Sequence, residues 1–487
     1  MSMQAIQVAV FIFVTSLIAL LTFVKCRKAI RAEAEQGIES GTKDVFLAGG
    51  SLSWVFVAGS ITLTNLSTDQ LVGMNGNQML LLAWWELAAV VGLVILAKVF
   101  VPIYYKYQCT TTTELLEKRY NNHHIRALIG FLFLLGNVFI FLPAILYGGS
   151  LFMKSMFGLD QISLMVLAVS FAVIGACYAV FGGLRAVAVS DTYSGVLLLG
   201  LGMLVVFLAL NAINWDFSGI PKERLTLIGD NASEIPWHTL LTGMVFIQIF
   251  YWSTNQTITQ RAMASPSVKE AQKGVLVAAA IRFLIVPPII VLPGVVSYKL
   301  YGDVNDAAYG MIVADVLPLW LSGIFAAGIA AAVLTTFNSI LNASSAIYIC
   351  DVHEKYISKN SNIGKLNLLV TVVLVLIALA MVPVYATQES IINTVQRLYG
   401  LLSMPILSCF VVGLLFRNVD YRAAIFSVIF GVTLYAALFF YLLPEIHYIH
   451  KMFVTLISSV LMALLINRFA FENKVEFGWP ETSNNNA

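Results

Sequence analysis

Residues 60–76, SITLTNLSTDQLVGMNG, hold the chain's densest set of groups able to do chemistry. Thr62, Thr64, Asn65, Ser67, Thr68, Asp69 and Gln70 crowd into one short stretch between the apolar runs WVFVAG and MLLLAWW. A polar group left unsatisfied in hydrocarbon costs several kcal/mol, so irregular backbone persists at bilayer depth only where it lines a protein-walled cavity. The stretch reads as a helix broken at the midplane, the competing reading being a solvent-exposed loop. Carbonyls freed by a break suit a cation and the side chains suit a polar solute, which is how secondary transporters are built. QIFYWSTNQTITQR, at 248–261, repeats the pattern.

Other polar groups also lie inside apolar runs. Glu86 in MLLLAWWELAAVVGLVIL is roughly 10 Å deep at the helical rise per residue, and Arg282 sits within VLVAAAIRFLIVPPIIVL. Gln70, Gln248, Asn255, Gln256 and Gln396 read as buried amides, with Trp85, Tyr251 and Trp252 as aromatic platforms. Neutral sugars need paired donors and acceptors and an aromatic face, and this set supplies both. Charges within a membrane usually pair, so Glu86 and Arg282 belong either to a solute site or to a structural bridge. The segment GIFAAGIAAAVLTTFNSILNASSA (323–346) is rich in small residues and carries hydroxyls at Thr335, Thr336 and Ser339. Positions 335 and 339 share a helical face. These residues either allow close helix packing or supply oxygen ligands to a hard cation such as sodium. Asp191 begins a span, where it is a helix-start carboxylate, an ion partner of Arg185 or a cation ligand. Arg397 either faces an outer vestibule or ends a helix. His123, His124, His447 and His450 are read as loop residues.

The elements that must position these groups are membrane helices. Of 487 residues 59% are hydrophobic and 11% charged, and mean hydropathy is +0.86. A soluble domain would carry about 25% charged residues. The net charge of +2 argues against a nucleic-acid partner. Five scattered cysteines (Cys26, Cys109, Cys177, Cys350, Cys409) suggest free thiols. Apolar runs at 4–25, 53–75, 79–105, 126–153, 161–181, 186–211, 238–258, 273–298, 317–349, 365–385, 391–416, 421–443 and 448–469 give about thirteen crossings. Most of the 28 lysines and arginines fall in alternate loops, among them Arg126, Arg185 and Arg261. The positive-inside rule then places the N-terminus outside and the C-terminus in the cytoplasm. The polar tail after Asn473 reads as disordered. The two broken spans lie five spans apart, which predicts two five-helix repeats of opposite membrane orientation. The expected units are an extra N-terminal span and loop (1–45), the first repeat (46–212), the second repeat (213–418), further spans (419–472) and a tail (473–487).

Several motifs carry a family resemblance. NLSTDQLVGMNG, YAVFGGLRAVAVSD (178–191), FYWSTNQTITQRAMASPSVKEAQKG (250–274), DVFLAGGSLSW and TTTELLEKRY (111–120) occur in an order that resembles the solute:sodium symporter family, and within it the bacterial sodium/galactose branch. The resemblance implies an all-α polytopic fold with a LeuT-like inverted-repeat core, sodium coupling and alternating access. It places sodium among the carbonyls of Leu63, Leu66 and Ala332 and the hydroxyls of Thr335 and Thr336. A second sodium would use Asp191, Ser339 and position 338, where this chain has Asn338 rather than serine. For the solute, the resemblance marks Asn65, Gln70, Glu86 and Gln396 as contacts, Tyr251 as the inner gate beside Trp252, and Met74 in the outer gate. Arg282 stands in place of lysine, Gln248 in place of asparagine, Ala89 in place of a contacting serine, and Asn137 and Ile392 in place of outer-gate aromatics.

The expected function is sodium-coupled import of a sugar or sugar-like polyol across the plasma membrane. The alternatives are an anionic sugar acid or other small organic solute, paired by Arg282 or Arg397, and a non-transporting solute sensor. No nucleophile–base pair or metal constellation suggests an enzyme.

Overall fold

The computed structural model describes residues 3–35, 46–66, 68–358, 362–388 and 390–478. The loop at 36–45, Ser67 and the end of the tail, 479–487, lie outside the described residues. Helices dominate, because at bilayer depth only a helix satisfies its own backbone. α1 (Met3–Glu35) is followed by α2 (Trp54–Asn65) and α3 (Thr68–Gly76). Next come α4 (Leu80–Lys106), the short α5 (Thr112–Tyr120), α6 (His123–Phe157) and α7 (Leu164–Ala212). The second half opens with α8 (Gly243–Ser253) and α9 (Gln256–Met263). It continues with α10 (Val268–Tyr301), the short α11 (Ala308–Val316), α12 (Leu319–Tyr356), α13 (Ile363–Tyr385) and α14 (Ile391–Leu415). α15 (Tyr421–Leu442) and α16 (Tyr448–Phe469) follow.

Among the described residues ten helices are long and apolar enough to cross a membrane, against the thirteen crossings expected. The runs at 53–75 and 238–258 are interrupted, so each half is too short to count alone. The runs at 161–181 and 186–211 both fall in α7, where Leu184–Ala212 is long enough to count and Leu164–Ala176 is a shorter apolar helix. The tail is also less disordered than expected, because Glu476–Phe477 pairs antiparallel with Phe416–Arg417. Cys109, Cys350 and Cys409 are buried free thiols.

Both interruptions have local causes. α2 stops at Asn65, and Leu66 leaves the helical region at φ −82°, ψ 60°. The last carbonyls of a helix lack intrahelical donors, and Leu63 and Asn65 fall in that last turn. α8 stops at Ser253, and Asn255 restarts the chain as the cap of α9, its Oδ1 accepting the Thr257 N–H at 3.0 Å. Close packing holds the broken helices in register. A Cβ at Gly92 of α4 would sit 2.3 Å from the Gln248 carbonyl oxygen, so only glycine allows α4 this close to α8.

One buried charge network ties α5, α6 and α12 together. Arg126, expected in a loop, is 5% exposed. Its Nε donates to Asp351 Oδ1 at 2.6 Å and its Nη1 to Glu117 Oε2 at 2.5 Å. Asp351 also accepts from the hydroxyls of Thr111, at 2.9 Å, and Thr113. Removing one partner of a buried pair strands the other, typically at about 3–5 kcal/mol. Asp351→Ala should therefore lower thermal stability in detergent sharply. Arg126→Met with Asp351→Leu should recover most of that loss. A melting temperature of the single variant equal to the parent's would contradict this role.

Candidate functional site

The two breaks face a common cavity. It is small, about 40 Å³, and is bounded by α2, α3, α4, α6, α8 and α14, well below the ~300–1,000 Å³ of an open small-molecule pocket. Asn65, Gln70, Gln248 and Gln396 contribute amides to its wall, and Trp85, Tyr251 and Trp252 contribute aromatic faces. Met74 and Ile392 line it as well. Each of these is a residue singled out from sequence.

Hydrogen bonds orient Asn65, Gln70 and Gln248. Gln248 Nε2 donates to the Trp85 carbonyl at 3.1 Å, and its Oε1 accepts from Trp252 Nε1 at 2.9 Å. Tyr251 Oη donates to Asn65 Oδ1 at 2.5 Å, joining the two broken helices across the cavity. Asn255 Nδ2 donates to Tyr399 Oη at 3.3 Å. Tyr399, Phe141 and Ile247 also line the cavity and were not anticipated. Tyr399 follows Gln396 by three residues and shares its helical face, so spacing offered a signal for it. Phe141 and Ile247 are apolar residues within apolar helices and offered none.

Glu86 and Arg282 do not line this cavity. Both are wholly buried behind Gln70. Arg282 Nη2 donates to Glu86 Oε1 at 2.6 Å and to Gln70 Oε1 at 2.9 Å, and Gln70 Nε2 donates to Glu86 Oε1 at 2.6 Å. The two charges pair with each other, and Gln70 links the pair to the cavity wall.

Below the cavity a smaller space, lined in part by Asn65 and Tyr251, reaches Thr64, Thr257 and Thr336. Leu63, Leu66, Ala332, Thr335 and Thr336 are all buried, and α2 packs against α12. The Thr335 hydroxyl donates to the Ala332 carbonyl at 3.3 Å. The buried Thr336 hydroxyl has no hydrogen-bond partner among the described residues. Hydroxyls and helix-end carbonyls are hard oxygen donors, the type that alkali and alkaline-earth cations take.

The groups suggested for a second cation are arranged differently. Asp191 is fully buried. Its Oδ2 accepts from Ser60 Oγ at 2.5 Å and Thr64 Oγ1 at 3.2 Å. Its cationic neighbour is Arg261, at 3.9 Å, and not Arg185, which donates to the Ala48 carbonyl at 2.9 Å. Arg261 was expected in a loop and is instead wholly buried. It donates to Ser60 Oγ at 2.7 Å, to Ser339 Oγ and to the Thr257 carbonyl. Asp191 and Ser339 thus meet around one guanidinium. Asn338 lies apart, its Oδ1 close to Gly175 of α7.

Comparison with known proteins gives a consistent picture. Residues 45–431 match the sequence profile of the sodium:solute symporter family. An uncharacterized symporter of Escherichia coli strain K12, YidK, is 32% identical over 493 residues, covering 95% of this chain and 84% of the relative. A sodium/glucose cotransporter of Vibrio parahaemolyticus is 29% identical over 469 residues, covering 88% and 85%. Among solved structures, a substrate-bound, outward-open Na⁺-coupled sialic acid symporter superposes with a TM-score of 0.78 at 18% identity, covering 95% of this chain and 97% of that one. The fold is the LeuT-like one that the family resemblance implies.

Beyond Met74 and Ile392, on the face where α3 ends and α14 begins, a carboxylate joins the helix ends. Asp306 Oδ2 accepts the Ile391 N–H at 3.0 Å, and Gly76 packs so closely that a Cβ there would lie 2.5 Å from Asp306 Oδ1. Ser390 Oγ donates to Asn77 Oδ1 at 3.1 Å beside it. Burial pushes the Asp306 carboxyl up to about 7, against a smaller opposing pull from the Ile391 N–H. Because the folded value exceeds the ordinary 3.8, its contribution to stability is complete below about pH 4 and is lost as pH rises through 7. Asp306→Asn, which stays neutral, should remove this component. The variant should melt level with the parent at about pH 4 and a few degrees above it at pH 8. Parallel pH profiles for the two proteins would refute the assignment.

Proposed function

The chain belongs to the sodium:solute symporter family, and on that premise we propose that it imports a neutral polyhydroxylated solute, a sugar or sugar-like polyol, together with sodium. Sodium is the family's coupling ion, and the chain is a multi-pass membrane protein. One observation carries the choice of solute. Arg282 is neutralised by Glu86 behind the wall, while the cavity itself presents amides and aromatic faces. Uncharged donors and acceptors beside π faces match hydroxyls and the C–H face of a sugar ring. A carboxylate solute would need an unengaged cation there, and Arg282 is already committed. In this reading Asn65, Gln70, Gln248 and Gln396 bind the solute, and Glu86 and Arg282 support them. Tyr251, backed by Trp252, closes the inner side, and Met74 with Ile392 closes the outer side.

Sodium would sit where α2 ends against α12, held by the Leu63, Leu66 and Ala332 carbonyls and the Thr335 and Thr336 hydroxyls. Binding there favours one arrangement of the broken helix and shifts the population toward the state that accepts solute. The guanidinium between Asp191 and Ser339 favours a single sodium per cycle. The bias of basic residues supports a plasma-membrane protein with its N-terminus outside and its C-terminus in the cytoplasm. Arg126 and Arg261 are buried and no longer count toward that bias.

Uptake into proteoliposomes of labelled hexoses, polyols and sugar acids, with and without an inward sodium gradient, tests the reading. Gradient-dependent accumulation confined to neutral solutes is the expected result, and accumulation of sugar acids alone would overturn it. Thr336→Ala removes one oxygen contact, worth about 1 kcal/mol, and should raise the half-saturating sodium concentration roughly fivefold. An unchanged value in a well-folded variant would remove Thr336 from the sodium site.

A further inference from the structure

We propose that Arg282 is a positioning residue that clamps the two halves of the first interrupted helix, and through them couples sodium binding to solute recognition. The proposal rests on the sodium and solute placement given above.

The guanidinium has two diverging arms, and each holds a different half. Nη1 donates to the Thr62 carbonyl of α2 at 2.7 Å. That carbonyl also accepts the Leu66 N–H at 3.2 Å, the bond that closes the end of α2. Thr62 directly precedes Leu63, a proposed sodium ligand. Nη2 reaches Gln70 of α3 at 2.9 Å and Glu86 of α4 at 2.6 Å. The guanidinium carbon lies 4.6 Å from the centroid of the Trp252 ring, in α8. One side chain from α10 therefore fastens both sides of the break, together with an aromatic of the second broken helix.

Two consequences follow from the chemistry. Gln70 has its Oε1 bonded to Arg282 and one amide N–H bonded to Glu86, so its amide cannot flip. It offers the solute one remaining N–H and one remaining lone pair in a set direction. The distance between Gln70 and the carbonyls at the end of α2 is set by the guanidinium, so anything that orders one half orders the other. Lysine cannot replace it. A single ammonium nitrogen cannot occupy the positions of Nη1 and Nη2 together, although it preserves the charge.

The test uses radioactive sodium alone, bound to the purified full-length chain without solute. Arg282→Lys should weaken sodium binding about tenfold, the size of one lost charge-assisted hydrogen bond. The double variant Glu86→Gln with Arg282→Met leaves no stranded charge and guards against a folding failure of the single one. It should show a similar loss of sodium affinity while melting within a few degrees of the parent. A direct solute ligand would leave solute-free sodium binding unchanged, and a merely structural bridge would lower melting temperature without altering sodium affinity. Either result overturns the clamp. A parent that binds no sodium at all overturns the underlying reading and the clamp together. A parent that binds sodium normally while the variants match it overturns the clamp alone.

Discussion

A helix that stops at bilayer depth leaves backbone groups that lipid cannot satisfy. The architecture around the site is a response to that constraint. The end of α2 is met by the Arg282 guanidinium at the Thr62 carbonyl, and the restart at α9 is met by its own Asn255 cap. Groups that must be dry, polar and satisfied leave little freedom to their neighbours. They require glycine at position 92, where α4 meets the Gln248 carbonyl. They also require amides near the breaks with both ends engaged.

Three fully or nearly buried arginines each lie beside a carboxylate: Arg126 with Asp351, Arg261 with Asp191, and Arg282 with Glu86. Removing such charges from water costs several kcal/mol each unless geometry and further hydrogen bonds compensate. In each case hydroxyls, amides or carbonyls complete the set. Thr111 and Thr113 serve the first pair, Ser60 and Ser339 the second, Gln70 and Thr62 the third. Such pairs are poor sources of net stability, yet they specify which helices meet and in what register.

Much of this was visible in the sequence wherever polarity contrasts with its surroundings. The two interruptions, the amides of the cavity and the depth of Glu86 and Arg282 all stand out against apolar runs. Residues without contrast were invisible, such as Phe141, an aromatic in an apolar helix. Arg126 and Arg261 were misplaced for a different reason. A basic residue near the end of an apolar run reads as a loop charge, and only tertiary packing supplies the buried carboxylate that lets it go inside. Asp191 was weighed against Arg185, its neighbour in the chain, whereas folding brings Arg261 to it from a distant helix. The pairing of Glu476–Phe477 with Phe416–Arg417 likewise depends on a contact that no local pattern encodes.

The three pairs also differ in the helices they fasten and in how tightly they do so. Arg282 joins α2, α3, α4 and α10, and Arg126 joins α5, α6 and α12. Breaking either would strand a buried charge at about 3–5 kcal/mol, which suits rigid parts. The contacts that bridge the cavity are neutral: Tyr251 to Asn65 and Asn255 to Tyr399. Such bonds contribute about 1 kcal/mol each, far less than the cost of breaking a buried charge pair. The Arg261 group is the exception, since it runs from α2 and α9 across to Asp191 of α7 and Ser339 of α12. Its direct ion contact is the longest of the three, 3.9 Å, and its bonds pass mainly through hydroxyls. A crossing built from serine and threonine oxygens can exchange partners without leaving a bare charge, and it lies beside the proposed sodium ligands.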